Sequence, residues 1–203
     1  MGCDQARAGA ARTRRLPLCA AALLAAFAPA AGPAEEAPDL SECFVCHGDS
    51  GTSPDPAIPS LGGQPEMFLL YQLVFFRDGQ RKIEPMTTQM AGRSNAEVTA
   101  MAKALSELPA MNSDETSRDE GAFARGEAIA ERKRCGACHL SDYSGARHVP
   151  RLAGQHEVYL VETMRKFRAG ERIGIQAAMA EVPSGLDDAA LQDLAHYFAH
   201  REG

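Results

Sequence analysis

The sequence predicts an all-α protein built from two copies of one lobe. Three observations carry this. Two Cys-x-x-Cys-His runs, Cys43–His47 and Cys135–His139, lie 92 positions apart. Similar blocks follow each run at a constant offset of 91 residues. Within the blocks apolar residues recur at helical spacing, and no alternating run marks a strand. The chain has 203 residues, 45% apolar and 24% charged, and a net charge of −6. That composition excludes collagen-like, disordered and multi-span membrane classes. The acidic balance excludes nucleic acid as a partner.

The first element is a leader. Arg7, Arg12, Arg14 and Arg15 form a basic start, an apolar run spans Leu18 to Ala28, and small residues follow at Ala30 and Ala34. This predicts a cleaved secretory signal peptide over residues 1–34. The apolar run is too short to cross a bilayer comfortably and ends at Pro29. Leu16-Pro17-Leu18 after the Arg14-Arg15 pair favours general secretion over twin-arginine export. Cleavage removes four arginines and one aspartate, taking the charge from −6 to −9. It also removes Cys3 and Cys19, so every remaining cysteine (Cys43, Cys46, Cys135, Cys138) lies in a motif.

Cys-x-x-Cys-His is the attachment signature of c-type haem. Two thiols add across the two vinyl groups of one porphyrin, and the adjacent imidazole reaches the iron from one face. A zinc site would place its two cysteine pairs roughly fifteen to twenty residues apart, and a thioredoxin-like pair needs a βαβ setting. Neither is present. The sequence therefore predicts two haem c groups, with His47 and His139 as iron ligands.

The elements after each motif run in parallel. Pro59-Ser60-Leu61-Gly62-Gly63-Gln64 matches Pro150-Arg151-Leu152-Ala153-Gly154-Gln155. A helix over 66–78, apolar at Phe68, Leu69, Leu73 and Phe76, matches one over 158–169, apolar at Leu160, Val161, Met164 and Phe167. Gly79 and Gly170 end them. Ser94-Asn95-Ala96-Glu97 reads as a capping box before Val98, Met101, Leu105 and Leu108. Asp187 plays the N-cap part before Leu191, Leu194, Tyr197 and Phe198. A helix over 121–134 leads into the second motif. The polar stretch after Pro109 is a linker. The expected domains are thus 35–109 and 120–203, joined by 110–119. A lobe of about eighty residues has little core of its own, and a buried porphyrin would supply the missing apolar mass.

Methionine is the soft axial ligand that raises the potential of haem iron. Met86 and Met90 are candidates in the first half, and Met179 in the second. Met86 and Met179 each lie eight residues before a helix cap (Ser94, Asp187), whereas the counterpart of Met90 is Pro183. The repeat therefore selects Met86 and Met179 over the usual fate of methionine as core filler. Pro59 and Pro150 follow their histidines by 12 and 11 residues, and their carbonyls could take the free imidazole N–H. His196 and His200, four apart on a helix near the chain end, read as exposed polar residues rather than metal ligands. His148 is a weaker alternative to Met179 as iron ligand.

Cys46-His47-Gly48, then Gly51-Thr52-Ser53-Pro54, then Pro59-x-Leu61-Gly62-Gly63-Gln64, together with Arg81-Lys82-x-x-x-Met86, resemble the cytochrome c4 family. That family comprises two-domain, two-haem class I cytochromes c of the bacterial periplasm, and the likeness covers nearly all of residues 40–200. It implies a tandem pair of class I cytochrome c domains related by a pseudo-twofold axis, each wrapped around one covalent haem, with propionates near the domain interface. The family's aromatic residue on the last helix is matched in the second half by Tyr197 and Phe198, with Gly126 as close-approach partner. The first half carries Ala104 and Leu105 there, and reads Asp49-Ser50-Gly51-Thr52 where the family has Asp-Gly-Asn.

The implied function is an electron carrier, not an enzyme. It shuttles single electrons in the periplasm between respiratory donors and an acceptor such as a terminal oxidase. The expected partners are redox proteins: a terminal oxidase, a cytochrome bc-type complex or a dehydrogenase. Peripheral membrane association stays open. The main alternative is the dihaem subunit of a dehydrogenase complex, like the flavocytochrome c of sulfide oxidation. A peroxidase-like enzyme with an open haem is opposed by the paired methionines. Residues 35–109 carry 5 basic and 11 acidic groups against 12 and 15 in 110–203. The first domain is therefore expected to prefer a basic partner surface.

Overall fold

Helix α1 (Ser41–His47) carries the whole first Cys-x-x-Cys-His motif. The computed structural model describes residues 37–112, 117–172 and 178–202. The expected leader and part of the expected linker lie outside them. Helix α2 (Glu66–Arg77) follows, then α3 (Met86–Met90) and α4 (Asn95–Ser106). The second half runs α5 (Glu120–Arg132), α6 (Gly136–His139), α7 (Glu157–Arg168), α8 (Ala178–Glu181) and α9 (Asp188–Ala199). Among the described residues the only bridge outside helices joins Ala146 and Val149. The protein is all-α, as the periodicity predicts.

The caps explain where the helices begin and end. Ser94 accepts from the Glu97 N–H while the Glu97 side chain takes the Ser94 N–H, a complete capping box for α4. The Asp187 carboxylate accepts from the Ala190 N–H at 2.8 Å and starts α9. An Asp187→Ala variant is expected to lose about 1 kcal/mol of stability, read as a lower midpoint in denaturant unfolding of the haem-loaded protein. The helix expected over 121–134 is found as α5 and stops two residues early, at Arg132. Arg134 turns to φ 57, its N–H returns to the Glu131 carbonyl, and the Cys135 N–H returns to Ala130. These are the two bonds of a Schellman stop, here built on arginine rather than glycine. The stop turns the chain so that α6 presents the second motif as a helix of its own.

Two apolar cores form. One gathers Leu40, Leu69, Leu73, Phe76, Met90, Val98, Met101, Ala102 and Leu105. The other gathers Ile129, Ala130, Tyr143, Ala153, Leu160, Val161 and the α9 face from Leu194 to Phe198. In the first, α2 packs on α3 and α4; in the second, α7 packs on α8 and α9, and α5 packs tightly on α9. That last contact needs Gly126, where a Cβ would sit 2.1 Å from the Asp193 carbonyl oxygen and 2.6 Å from the Tyr197 Cβ.

The halves are joined by two matched sets of hydrogen bonds. Gln64 reaches across to Arg151, donating to its carbonyl at 2.9 Å and accepting from its N–H at 3.0 Å. Gln155 reaches back to Ser60 in the same way, at 2.9 and 3.0 Å. Both glutamines are buried. The His156 ring bonds to the Ser53 carbonyl at 2.9 Å beside them. Met111, in the stretch read as polar linker, is 2% exposed, and its N–H bonds to the Gly62 carbonyl. Its own carbonyl lies where a Cβ on Gly154 would be 2.4 Å away. The connection therefore begins wedged between two glycine turns, one from each half.

Candidate haem-binding sites

Helical geometry places Cys43, Cys46 and His47 on successive turns of α1, with Cys43 packed against the first core. Burial pushes the Cys43 thiol up, against the opposing pull of Arg93. Cys135 is raised by burial too, while Cys138 is exposed. Four unpaired thiols in two such pairs are what thioether attachment requires.

His47 and His139 are buried, at 7% and 5% exposure. His47 Nδ1–H donates to the Pro59 carbonyl at 2.7 Å, and His139 Nδ1–H donates to Pro150 at 2.8 Å. Burial pulls both imidazoles below the usual histidine value, and the proline bonds oppose this only in part. Each ring is neutral with its proton fixed on Nδ1, so Nε2 keeps its lone pair for a metal. The Pro59 turn is itself held. Ser53 Oγ donates to the Cys46 carbonyl at 2.9 Å, and the Ser53 N–H donates to Ser60 Oγ at 3.0 Å.

The candidate methionines differ in burial. Met90 is 1% exposed inside the first core, and its counterpart Pro183 is also among the fully buried side chains. Met86 and Met179, at the starts of α3 and α8, are half-buried. Met90 packs within the first core, and Met86 packs against that core from its edge.

His196 is a correction to the sequence reading. It is buried, not exposed, and both ring nitrogens are engaged. The Asp119 N–H donates to Nε2 at 2.9 Å, and Nδ1–H donates to Glu157 at 2.9 Å. Glu157, His196 and His200 offer ligand atoms within 4.8 Å of one another. Either nitrogen of His196 would have to give up one of these bonds to take a metal, so the network acts as a clamp between α5, α7 and α9. His148 is half-buried in the turn closed by Ala146 and Val149.

Sequence reasoning missed one cluster. Arg81 of the first half and Arg172 of the second converge on Tyr159. Arg172 Nη1 donates to the Tyr159 hydroxyl at 3.2 Å and to Thr163 at 3.1 Å. Burial lowers the Arg81 guanidinium, an effect Tyr159 opposes. Burial also drives the Tyr159 phenol up, but the guanidiniums of Arg172 and Arg81 outweigh it and bring it down to about 7. Arg81 Nε is shielded from solvent and without a partner among the described residues. Neither arginine forms an ion pair with a carboxylate among those residues. Both guanidiniums are half-buried, Arg81 also donating to Gln72 Oε1 at 2.7 Å, and the shielded Arg81 Nε suits an anion, of which the propionates of haem are examples. The residues present therefore fit haem at three points: thiols, imidazoles and guanidiniums. The signal in the sequence was the repeat, since Arg81 and Arg172 occupy matching positions.

The Cytochrome c family model matches residues 123–201. The chain is 33% identical over 160 residues to cytochrome c4 of Pseudomonas aeruginosa, covering 73% of this chain and 80% of that one. It is 32% identical over 172 residues to the thiosulfate dehydrogenase electron acceptor of Thiomonas intermedia, covering 80% and 79%. The solved cytochrome c4 of Acidithiobacillus ferrooxidans superposes with a TM-score of 0.70 at 29% identity, over 79% of this chain and 99% of that one. The matched motifs, the doubled helical lobe and these likenesses lead to one conclusion: the chain belongs to the cytochrome c4 family, electron-transfer proteins that bind haem c.

Proposed function

We propose that the chain is a periplasmic dihaem electron carrier with domains at 35–109 and 120–203, a linker at 110–119 and a cleaved leader at 1–34. Cys43 and Cys46 hold one haem by thioethers, with His47 and Met86 on its iron. Cys135 and Cys138 hold the other, with His139 and Met179. When bound, each haem supplies a one-electron ferric/ferrous couple. The residues around it fix how that couple behaves. Pro59 and Pro150 orient the ligand histidines, the two apolar cores exclude water, and Arg81 and Arg172 hold the propionates. With His47 and Met86, and His139 and Met179, as its ligands, iron would have no position left for a substrate, which favours a carrier over an enzyme.

The observation that carries this reading is the pair of imidazole–proline bonds, 2.7 and 2.8 Å, at the head of two equal motifs. Val45, between Cys43 and Cys46, is 79% exposed and has Glu42 and Asp49 nearby in sequence. An apolar tip beside acidic groups suits transient docking of a basic redox partner at the first haem edge. The partners proposed are a terminal oxidase, a cytochrome bc-type complex or a dehydrogenase. A second reading makes the donor a thiosulfate dehydrogenase. It rests on the 32% identity to a protein named as that enzyme's electron acceptor, and it replaces sulfide oxidation as the favoured dehydrogenase alternative.

An optical titration with methionine variants tests the ligand assignment. The oxidised protein should show the weak long-wavelength band of sulfur-ligated haem. Met86→Leu and Met179→Leu should each remove about half of it and lower one of the two potentials. Met90→Leu should leave the band intact. Loss of the band in Met90→Leu, or its survival in Met86→Leu, would overturn the assignment.

A further inference from the structure

Pro59 C=O and Ser60 N–H are two ends of one amide, and so are Pro150 C=O and Arg151 N–H. Each amide is planar and resonance-coupled, so a hydrogen bond at one end alters the other. The oxygen of the first accepts from His47 Nδ1–H at 2.7 Å, and its N–H donates to Gln155 Oε1 at 3.0 Å. The oxygen of the second accepts from His139 Nδ1–H at 2.8 Å, and its N–H donates to Gln64 Oε1 at 3.0 Å. Each glutamine belongs to the half opposite the histidine it serves. A relay of one amide thus links each iron-binding imidazole to a side chain of the other lobe.

We infer that Gln155 and Gln64 are positioning residues that tune the iron ligand of the opposite lobe. This rests on the haem ligation proposed above. The orientation of Gln155 is fixed because its Oε1 also accepts from the His156 N–H at 3.0 Å while its Nε2 donates to the Ser60 carbonyl at 2.9 Å. Gln64 is fixed by the matching pair of bonds to Arg151 at 2.9 and 3.0 Å. Ser60 is 0% exposed, Gln155 2%, Gln64 4% and Arg151 7%, so water competes for none of these bonds. In such surroundings hydrogen bonds in series strengthen one another. Glutamine oxygen draws on the amide proton, electron density moves to the proline oxygen, and that oxygen holds the imidazole Nδ1–H more firmly. A more electron-rich imidazole favours ferric iron and lowers the potential. The lobe interface is therefore part of the redox site of both lobes, and repacking it would be read at each iron.

Methionine replaces glutamine with similar volume and no strong hydrogen bond, so Gln155→Met and Gln64→Met test the relay. Potentials are resolved haem by haem through the axial-ligand methyl signals in NMR redox titrations. Gln155→Met should raise the electron affinity of the first lobe's haem two- to fourfold, about 20–35 mV at 59 mV per tenfold, and leave the second unchanged. Gln64→Met should do the reverse. A loosened interface with no relay would move both haems together or the variant lobe's own haem, and either result overturns the inference, as does no shift in either. Wild-type protein gives an independent reading if a variant fails to fold. Oxidation acidifies the imidazole N–H, so hydrogen exchange at the Ser60 and Arg151 amides should slow severalfold on oxidation. Unchanged exchange overturns the relay. Wild-type protein without two haems would overturn the functional reading itself, whereas two haems with uncrossed shifts would overturn the relay alone.

Discussion

Gly126→Ala is expected to destabilise the second lobe by roughly 1–3 kcal/mol, and Gly126→Val by more. Alanine normally improves a helix interior over glycine by about 1 kcal/mol, so the expected sign opposes intrinsic propensity. The reason is contact. A Cβ on Gly126 would meet the Asp193 carbonyl oxygen at 2.1 Å and the Tyr197 Cβ at 2.6 Å, and the first of these is backbone with no rotamer to yield. Forcing α5 from α9 also disturbs the rings packed there. Phe123 lies 4.9 Å from Tyr197, and Tyr143 lies 4.9 Å from Phe198 and 5.6 Å from Tyr197. The Arg125–Asp193 ion pair between the two helices is solvent-exposed on the arginine side and contributes little to hold them. Thermal unfolding of the haem-loaded variants checks this, and an Ala variant more stable than the parent would contradict it.

The double variant Cys135→Ala/Cys138→Ala is expected to carry one haem where two are expected for the parent. The loss should stay in the second lobe, because the first core contains no residue beyond Leu108 and its own motif is intact. The second lobe should also soften. Its core has ten buried residues of its own, and lobes this small depend on an added apolar group such as a tethered haem. The haem-to-protein ratio and a split unfolding transition are the measurements. A ratio that stays at two would contradict the assignment of these thiols.

Most of what the sequence made legible came from signals a few residues long. The capping box at Ser94, the N-cap at Asp187 and the apolar stripes of α2, α4, α7 and α9 are local, and the structure reproduces each. The imidazole–proline bonds were readable because the repeat kept both prolines near the same distance from their histidines. Other features were set by contacts the sequence places far apart. His196 looked like an exposed residue near the chain end, yet its partners Asp119 and Glu157 lie 77 and 39 positions away. Met111 carried no periodic signal, being one apolar residue in a polar stretch, and its burial depends on glycine turns from both halves. Helices α3 and α8, of 5 and 4 residues, are too short for any period to register. The repeat did mark Gln64 with Gln155 and Arg81 with Arg172 as equivalent. It could not reveal that each glutamine crosses to the other half, because sequence equivalence says nothing about which copy is the partner.

The intact mass of the natural chain, matured in a host able to attach haem c and measured under denaturing conditions, bears most directly on the whole account. The expected mass is that of residues 35–203 plus two covalently bound haems. A chain whose four motif thiols are free and whose mass includes no tetrapyrrole would contradict it.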